Sequence, residues 1–232
     1  MKTKIEWCDY TINPVKGLCP MACDYCYARR MYKRFKWNPE IRYDGDNSPS
    51  PWDILYTIKN PARIFIGSTM ELFGDHIKTK WLDMIFHIVG GWKQHTFIFL
   101  TKQPQNLPKQ WSDNCWVGVS ITGKEEDGFA YPLVHLQAKI KFLSIEPLLA
   151  PVVKTTEFGS SLKNAGINWI IIGQQTPAKK STTPKIEWIR GIVEAADKAS
   201  VPVFLKDNLK SVIATDAVPL SEVGKLRQEF PR

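Results

Sequence analysis

Short apolar runs recur along the chain, each closed by a polar or turn-forming residue: Ala62 to Gly67, Thr96 to Leu100, Trp116 to Ile121, Ile140 to Ile145, Trp169 to Gly173 and Val201 to Leu205. Their length and their Ile, Val, Phe and Trp content predict strands. Runs such as WIIIG and FIFL are apolar without alternation, as parallel strands covered on both faces are. Between the runs the period lengthens to that of a helix. Lys80 to Gly91 sets Trp81, Leu82, Ile85, Ile88 and Val89 on one face, and Lys185 to Ala199 does the same with Trp188, Ile189, Ile192, Val193 and Ala196. Shorter helices are expected after Cys23, around Gln103 to Trp111 and around Tyr131 to Gln137. A first strand near Thr11 to Val15 leads into the segment GLCPMACDYC.

This alternation predicts an α/β fold built from βαβ units, a parallel (β/α) barrel that is partial or near-complete and TIM-like. A doubly wound open sheet is the alternative, because strand order is not written in the chain. With 232 residues and 44% hydrophobic content, one domain over residues 1–232 is expected. Its irregular parts are the cysteine loop at 17–27 and the Pro-, Gly- and Asn-rich stretch at 38–53, with a further excursion from Pro147 to Ile167. No apolar run approaches the roughly 20 residues that cross a bilayer, and the N-terminus MKTKIEWCDY lacks the apolar stretch of a secretory signal. A cytoplasmic location and no membrane partner are expected; nothing in the chain specifies an oligomeric state.

The cysteines change the picture most. Cys19, Cys23 and Cys26 follow the spacing C-x-x-x-C-x-x-C, while Cys8 and Cys115 stand alone. An odd total with three members so close suits metal ligation in a reducing compartment better than disulfides. Three thiolates hold three corners of a [4Fe-4S] cluster and leave one iron open to an outside ligand. Structural zinc is the competing reading, but it needs a second ligand pair, and His76, His87, His95 and His135 are scattered without ligand spacing. Cys115, just before a strand, is read as a core thiol, with a hydrogen-donor role as its alternative.

Each predicted strand also ends in polar residues, where parallel barrels carry their reactive groups. Ser68, Thr69 and Glu71 follow IFIG; Thr101 and Lys102 follow FIFL; Ser120 follows WVGV; Glu146 follows FLSI; Gln174 and Gln175 follow IIIG; Lys206, Asp207 and Asn208 follow VFL.

With Tyr25 before its last cysteine, the CxxxCxxC motif resembles the signature of the radical S-adenosylmethionine (SAM) superfamily. The wider N-terminus, IEWCDYTINPVKGLCPMACDYCYARRM, together with STMELF, FLTK, WVGVS, FLSIEPLL and VPVFLKD, is similar to a poorly characterised three-cysteine-motif family of bacteriophages and bacteria. The resemblance implies a partial or full (β/α) barrel. It also implies SAM bound through its amino and carboxylate groups to the open iron, cleavage to a 5′-deoxyadenosyl radical, and an electron donor such as flavodoxin or ferredoxin. By position, it assigns Ser68 and Glu71 to the SAM ammonium, although GSTMEL departs from the Gly-Gly-Glu-like turn of that superfamily. It assigns Ser120 and Glu146 to the ribose, with Gln174 as a further contact, and Tyr25 and Tyr27 to the adenine or to shielding the cluster. Lys102, Lys206 and Asp207 are the candidates for substrate contact and catalysis. An ion pair with Lys102 or Lys206 is the structural alternative for Glu146.

Charge bears on the substrate. Lys and Arg exceed Asp and Glu by 31 to 23, a formal +8, which favours an anionic partner such as DNA, RNA or a nucleotide. Directly after the cysteines, YARRMYKRFKW interleaves Arg29, Arg30, Lys33, Arg34 and Lys36 with Tyr27, Tyr32, Phe35 and Trp37. Cations for phosphates and rings for bases fit a nucleic acid; a helix with Tyr27, Met31 and Phe35 turned to the core fits the same letters. The leading expectation is a radical SAM enzyme, of lyase or transferase type, modifying or repairing a nucleic-acid base. Its alternatives are a zinc-stabilised, non-catalytic nucleic-acid-binding protein and a barrel hydrolase or lyase relying on Glu71 and Glu146.

Overall fold

All six apolar runs form strands, and the segment before the cysteines adds a seventh. The computed structural model describes residues 3–123, 130–152, 155–213, 221–222 and 225–231. The strands are β1 (Tyr10–Ile12), β2 (Arg63–Ile66), β3 (Thr96–Thr101), β4 (Cys115–Ile121), β5 (Ile140–Ile145), β6 (Trp169–Ile172) and β7 (Val203–Leu205). They join in one seven-stranded sheet whose order follows the chain, β1 to β7. Parallel register pairs Tyr10 with Ile64, Ile64 with Phe97, Phe142 with Trp169 and Ile170 with Val203. A doubly wound sheet reverses its order at a switch point. This order never reverses, and β1 and β7 are its two edges, which is the topology of a partial (β/α) barrel.

Helices occupy five of the six crossovers: α1 (Tyr27–Phe35), α2 (Thr79–Gly91), α3 (Ala130–Val134), α4 (Thr155–Ala165) and α5 (Ile186–Ala199). A short α6 (Lys210–Ile213) follows β7. The β3 to β4 crossover has no α-helix, contrary to the helix expected at Gln103 to Trp111. Only a turn of 3₁₀-helix forms there, over Pro104–Asn106. Pro108 would remove a helical N–H, and Trp111 instead packs edge-on against Phe73 and Phe86 and tilted against Phe99, at 5.1 to 5.9 Å between ring centroids. The excursion expected at Pro147 to Ile167 contains α4, which buries Phe158, Leu162 and Ala165.

Two compact units divide the chain, residues 1–107 with 111–116, and residues 108–110 with 117–232. In the first, Ile64, Ile66, Phe97 and Phe99 of the strands pack with Ile85 and Val89 of α2, Leu55 and Leu72. In the second, Ile170, Ile171 and Ile172 are wholly buried, Trp169 packs on Phe142, and α5 buries Ile189, Ile192, Val193, Ala195 and Ala196. Burial on both faces accounts for the unbroken apolar letters of these strands. Among the described residues, no helix is long and apolar enough to cross a membrane.

Candidate functional site

Proline and glycine set the path into the cysteine loop. Pro14 has no N–H to extend β1, and the chain turns into Val15–Lys16, which pairs antiparallel with Arg42–Tyr43. Gly17 follows with φ +127°, where a Cβ would stand 2.6 Å from both the Glu40 carbonyl oxygen and Ile41 Cα. Only glycine passes there. Its N–H donates to the Tyr32 hydroxyl at 2.8 Å, anchoring the loop on the buried side of α1.

Between the first two cysteines Ala22 adopts φ 49°, a left-handed turn uncommon for a residue with a side chain. Cys26 then caps α1, its sulfur accepting from the Arg29 N–H at 3.4 Å while its own N–H donates to the Cys23 carbonyl at 3.0 Å. Arg29 reaches back across the loop, Nη2 donating to the Cys19 carbonyl at 2.6 Å. Cys19, Cys23 and Cys26 thereby line a single small cavity of about 20 Å³, together with Met21, Tyr32 and Thr69. All three thiols are half-buried and free. Among the described residues, no three His, Cys, Asp or Glu side chains converge on a point as one coordinated ion requires. A cubane places a different iron under each thiolate, so its ligands share a cavity without sharing a centre.

Thr69 reaches this cavity from the turn after β2, which opens on Gly67 at φ +80°. Helix and turn are tied directly, since the Tyr27 hydroxyl donates to the Ser68 carbonyl at 2.7 Å and Ser68 Oγ lies 3.1 Å from Asn13 Oδ1. Glu71 is buried, and its carboxylate accepts from the Phe73 N–H at 3.0 Å, the Thr101 hydroxyl at 2.7 Å and the Lys102 N–H at 2.8 Å. It joins the β2 turn to the end of β3. The Lys102 ammonium sits 5.7 Å from the centre of the Tyr25 ring, and Gln103 donates to the Met21 sulfur at 3.0 Å. Burial pushes the Cys19 thiol above its ordinary pKa. The backbone N–H groups of Glu71 and Met21 oppose that rise, while the Glu71 carboxylate and Cys26 add to it.

Of the residues singled out in the sequence, the three cysteines, Tyr25, Tyr27, Ser68, Glu71 and Lys102 all lie in the first unit and are linked by these contacts. Sequence reasoning misses Arg29 as the clamp of the loop, having grouped it with the solvent-facing cations. Arg29 is only half-exposed, and the sole signal in the letters is its place three residues after Cys26, at the first turn of the helix.

The polar strand ends of the second unit form pairs of their own. Glu146, after β5, is ion-paired with Lys206, after β7. The two side chains meet over Gly173 at the end of β6, where a Cβ would lie 3.0 Å from each. The ion pair weighed as the structural alternative for Glu146 is therefore present. Gln174 is buried and bonded to Asn208, whose Nδ2 donates to the Gln174 carbonyl at 2.8 Å. Ser120 is buried within β4. Asp207 is exposed and paired with Lys210 at 2.9 Å. Cys115 is buried at the start of β4, its thiol pushed up to about 12 by that burial. It sits at the opposite end of that strand from Ser120, as a core thiol does.

The class of protein comes from the fold. Solved structures of spore photoproduct lyase share it. The lyase complexed with dinucleoside spore photoproduct aligns with a TM-score of 0.57 at 16% identity over 85% of this chain and 63% of that one. A variant with bound AdoMet and dinucleoside spore photoproduct gives 0.57 at 15% identity with the same coverage. A cysteine-to-serine variant gives 0.62 at 13%, over 88% of this chain and 78% of that one. The chain therefore spans less than two thirds of the length of the first two. At such identities the likeness establishes the fold, a partial (β/α) barrel. The chain belongs to the family described as protein of unknown function (DUF5131), whose model matches residues 2–218. No curated protein matches it in sequence.

Proposed function

We propose that this protein is an iron-sulfur enzyme of the radical SAM kind, acting on a nucleic-acid base or a nucleotide. The observation that carries the reading is the cavity shared by Cys19, Cys23 and Cys26 beside the turn that follows β2. Support comes from the fold held in common with a lyase whose structures contain AdoMet and dinucleoside spore photoproduct. The donor set fits a [4Fe-4S] cluster: three thiols on one loop, with no fourth cysteine in it. When bound, the cluster supplies the electron that cleaves SAM to a 5′-deoxyadenosyl radical, for which a flavodoxin- or ferredoxin-like protein is the expected electron source.

The chain's own residues hold and shield that chemistry. Gly17, Tyr32 and Arg29 fix the loop, and at about 20 Å³ the present cavity requires the half-exposed thiols to swing outward around a cluster. Glu71 places a carboxylate near Cys19, suited to a cationic amine, while its three accepted hydrogen bonds keep it oriented. Ser68 and Thr69 offer hydroxyls from the same turn. Tyr25 and Tyr27 flank Cys26 with aromatic surface that excludes water, and Lys102 over Tyr25 supplies a cation for an anionic substrate.

Anaerobic reconstitution with iron and sulfide tests the reading. About four irons and four acid-labile sulfides per chain are expected, and Cys19→Ala, Cys23→Ala or Cys26→Ala each lose the cluster while keeping the far-ultraviolet spectrum of the parent. Stoichiometric zinc without sulfide would establish the zinc-stabilised binding protein instead.

A further inference from the structure

The geometry points to the outer face of α1 as a docking platform for single-stranded nucleic acid, an inference that rests on the nucleic-acid reading above. Helix α1 buries only Ala28 and Tyr32, four residues apart on one face. A core-facing stripe of Tyr27, Met31 and Phe35 fails at both ends, because Tyr27 is 45% and Phe35 52% exposed.

The helix ends at Lys36 with φ 51°, a left-handed cap that folds the chain back. Trp37 then stacks on Phe35 with centroids 5.4 Å apart and planes at 23°. Its edge meets Tyr32 at 5.2 Å, and its N–H donates to the Tyr32 carbonyl at 3.2 Å. These contacts hold Trp37 against the helix while leaving it 43% exposed. Two fixed, water-facing rings are a surface shaped for a partner.

Cations surround the rings. The Arg34 guanidinium lies 5.3 Å from the centre of the Phe35 ring. Arg30, Lys33, Arg34 and Lys36 are all exposed, and among the described residues no carboxylate pairs with Lys33, Arg34 or Lys36. Phosphates are matched by these charges, and the ring faces take unpaired bases. A duplex hides its base faces in its own stack. A membrane-lying helix needs a continuous apolar face, which the cations at 30, 33 and 34 interrupt. Tyr32 supports Trp37 and also accepts the Gly17 N–H of the cysteine loop, so the platform and the cysteine loop share one anchor.

Fluorescence anisotropy of the 232-residue protein with labelled oligothymidylate, oligouridylate and a hairpin duplex tests this. The parent is expected to bind at least one single strand more tightly than the duplex. Phe35→Ala and Trp37→Ala should each weaken that binding by about tenfold. The double variant Arg34→Gln with Lys36→Gln should reduce the slope of log K against log salt by about 1.4, near 0.7 per cation removed. Lys163→Gln, an exposed cation on α4, should change neither. All these positions lie on the surface, and unchanged melting temperatures verify folding. Parent-like binding by both ring variants overturns the platform and leaves the nucleic-acid reading standing. A parent that binds none of the probes overturns both, and preference for vesicles of anionic phospholipid over every oligonucleotide replaces the platform with a membrane surface.

Discussion

Tyr32 shows how much of the site depends on residues that carry no chemistry. Its hydroxyl satisfies the Gly17 N–H, its carbonyl accepts from Trp37, and its ring lines the cysteine cavity. Tyr32→Phe leaves a buried N–H unpaired, and about 1–3 kcal/mol of stability should be lost in a urea titration. Reconstituted iron content should fall with it, although no cysteine has changed. His95 is a second residue-scale case. It is 1% exposed, stacks on Trp92, and among the described residues neither ring nitrogen has a hydrogen-bond partner. Burial lowers its pKa below the ordinary 6.5, so the folded chain resists a proton that the unfolded chain accepts. Its contribution to stability is therefore complete above about pH 6.5 and declines as pH falls below that value. The melting temperature of the parent should drop between pH 7.5 and pH 5 by more than that of His95→Phe; equal drops would show that His95 is not the group responsible.

At the level of elements, Glu71 joins two strand ends that the letters leave separate. Three donors converge on its carboxylate, so Glu71→Gln puts an amide nitrogen against N–H or hydroxyl donors and should cost about 1–3 kcal/mol in thermal or urea unfolding. Rescue by Glu71→Asp would show that charge suffices without reach. Strand positions were legible because both faces of each strand are buried, leaving apolar runs that stop where the chain returns to water. Ile140 to Ile145 matches to the residue, whereas the run from Val201 begins at Val203 because Pro202 cannot donate to the ladder. Helices were less legible. Gly159, Ser160 and Ser161 are weak helix formers and masked the i, i+4, i+7 pattern of Phe158, Leu162 and Ala165 in α4. In α1, nine residues of mixed rings and cations fitted two opposite orientations. Tertiary contacts, Tyr32 to Gly17 above all, decided which face turned inward.

For the whole molecule, alternating runs imply a parallel sheet, but sequential strand order and an open edge are properties of pairings tens of residues apart, which no local pattern records. The cysteine trio was legible for the opposite reason: its members are close in sequence, so spacing and geometry report the same constraint. The rim was legible only in part, because a polar residue at a strand end looks alike whether it awaits a ligand, as Lys102 over Tyr25 would, or already has a partner, as Glu146 has in Lys206. The proposed function turns on whether the three cysteines hold a cluster. The most direct test incubates the anaerobically reconstituted protein with SAM and dithionite and follows 5′-deoxyadenosine by chromatography. The account predicts its release by the parent and none from Cys23→Ala. A parent that carries a full complement of iron and sulfide yet yields no 5′-deoxyadenosine with dithionite or with reduced flavodoxin would contradict it.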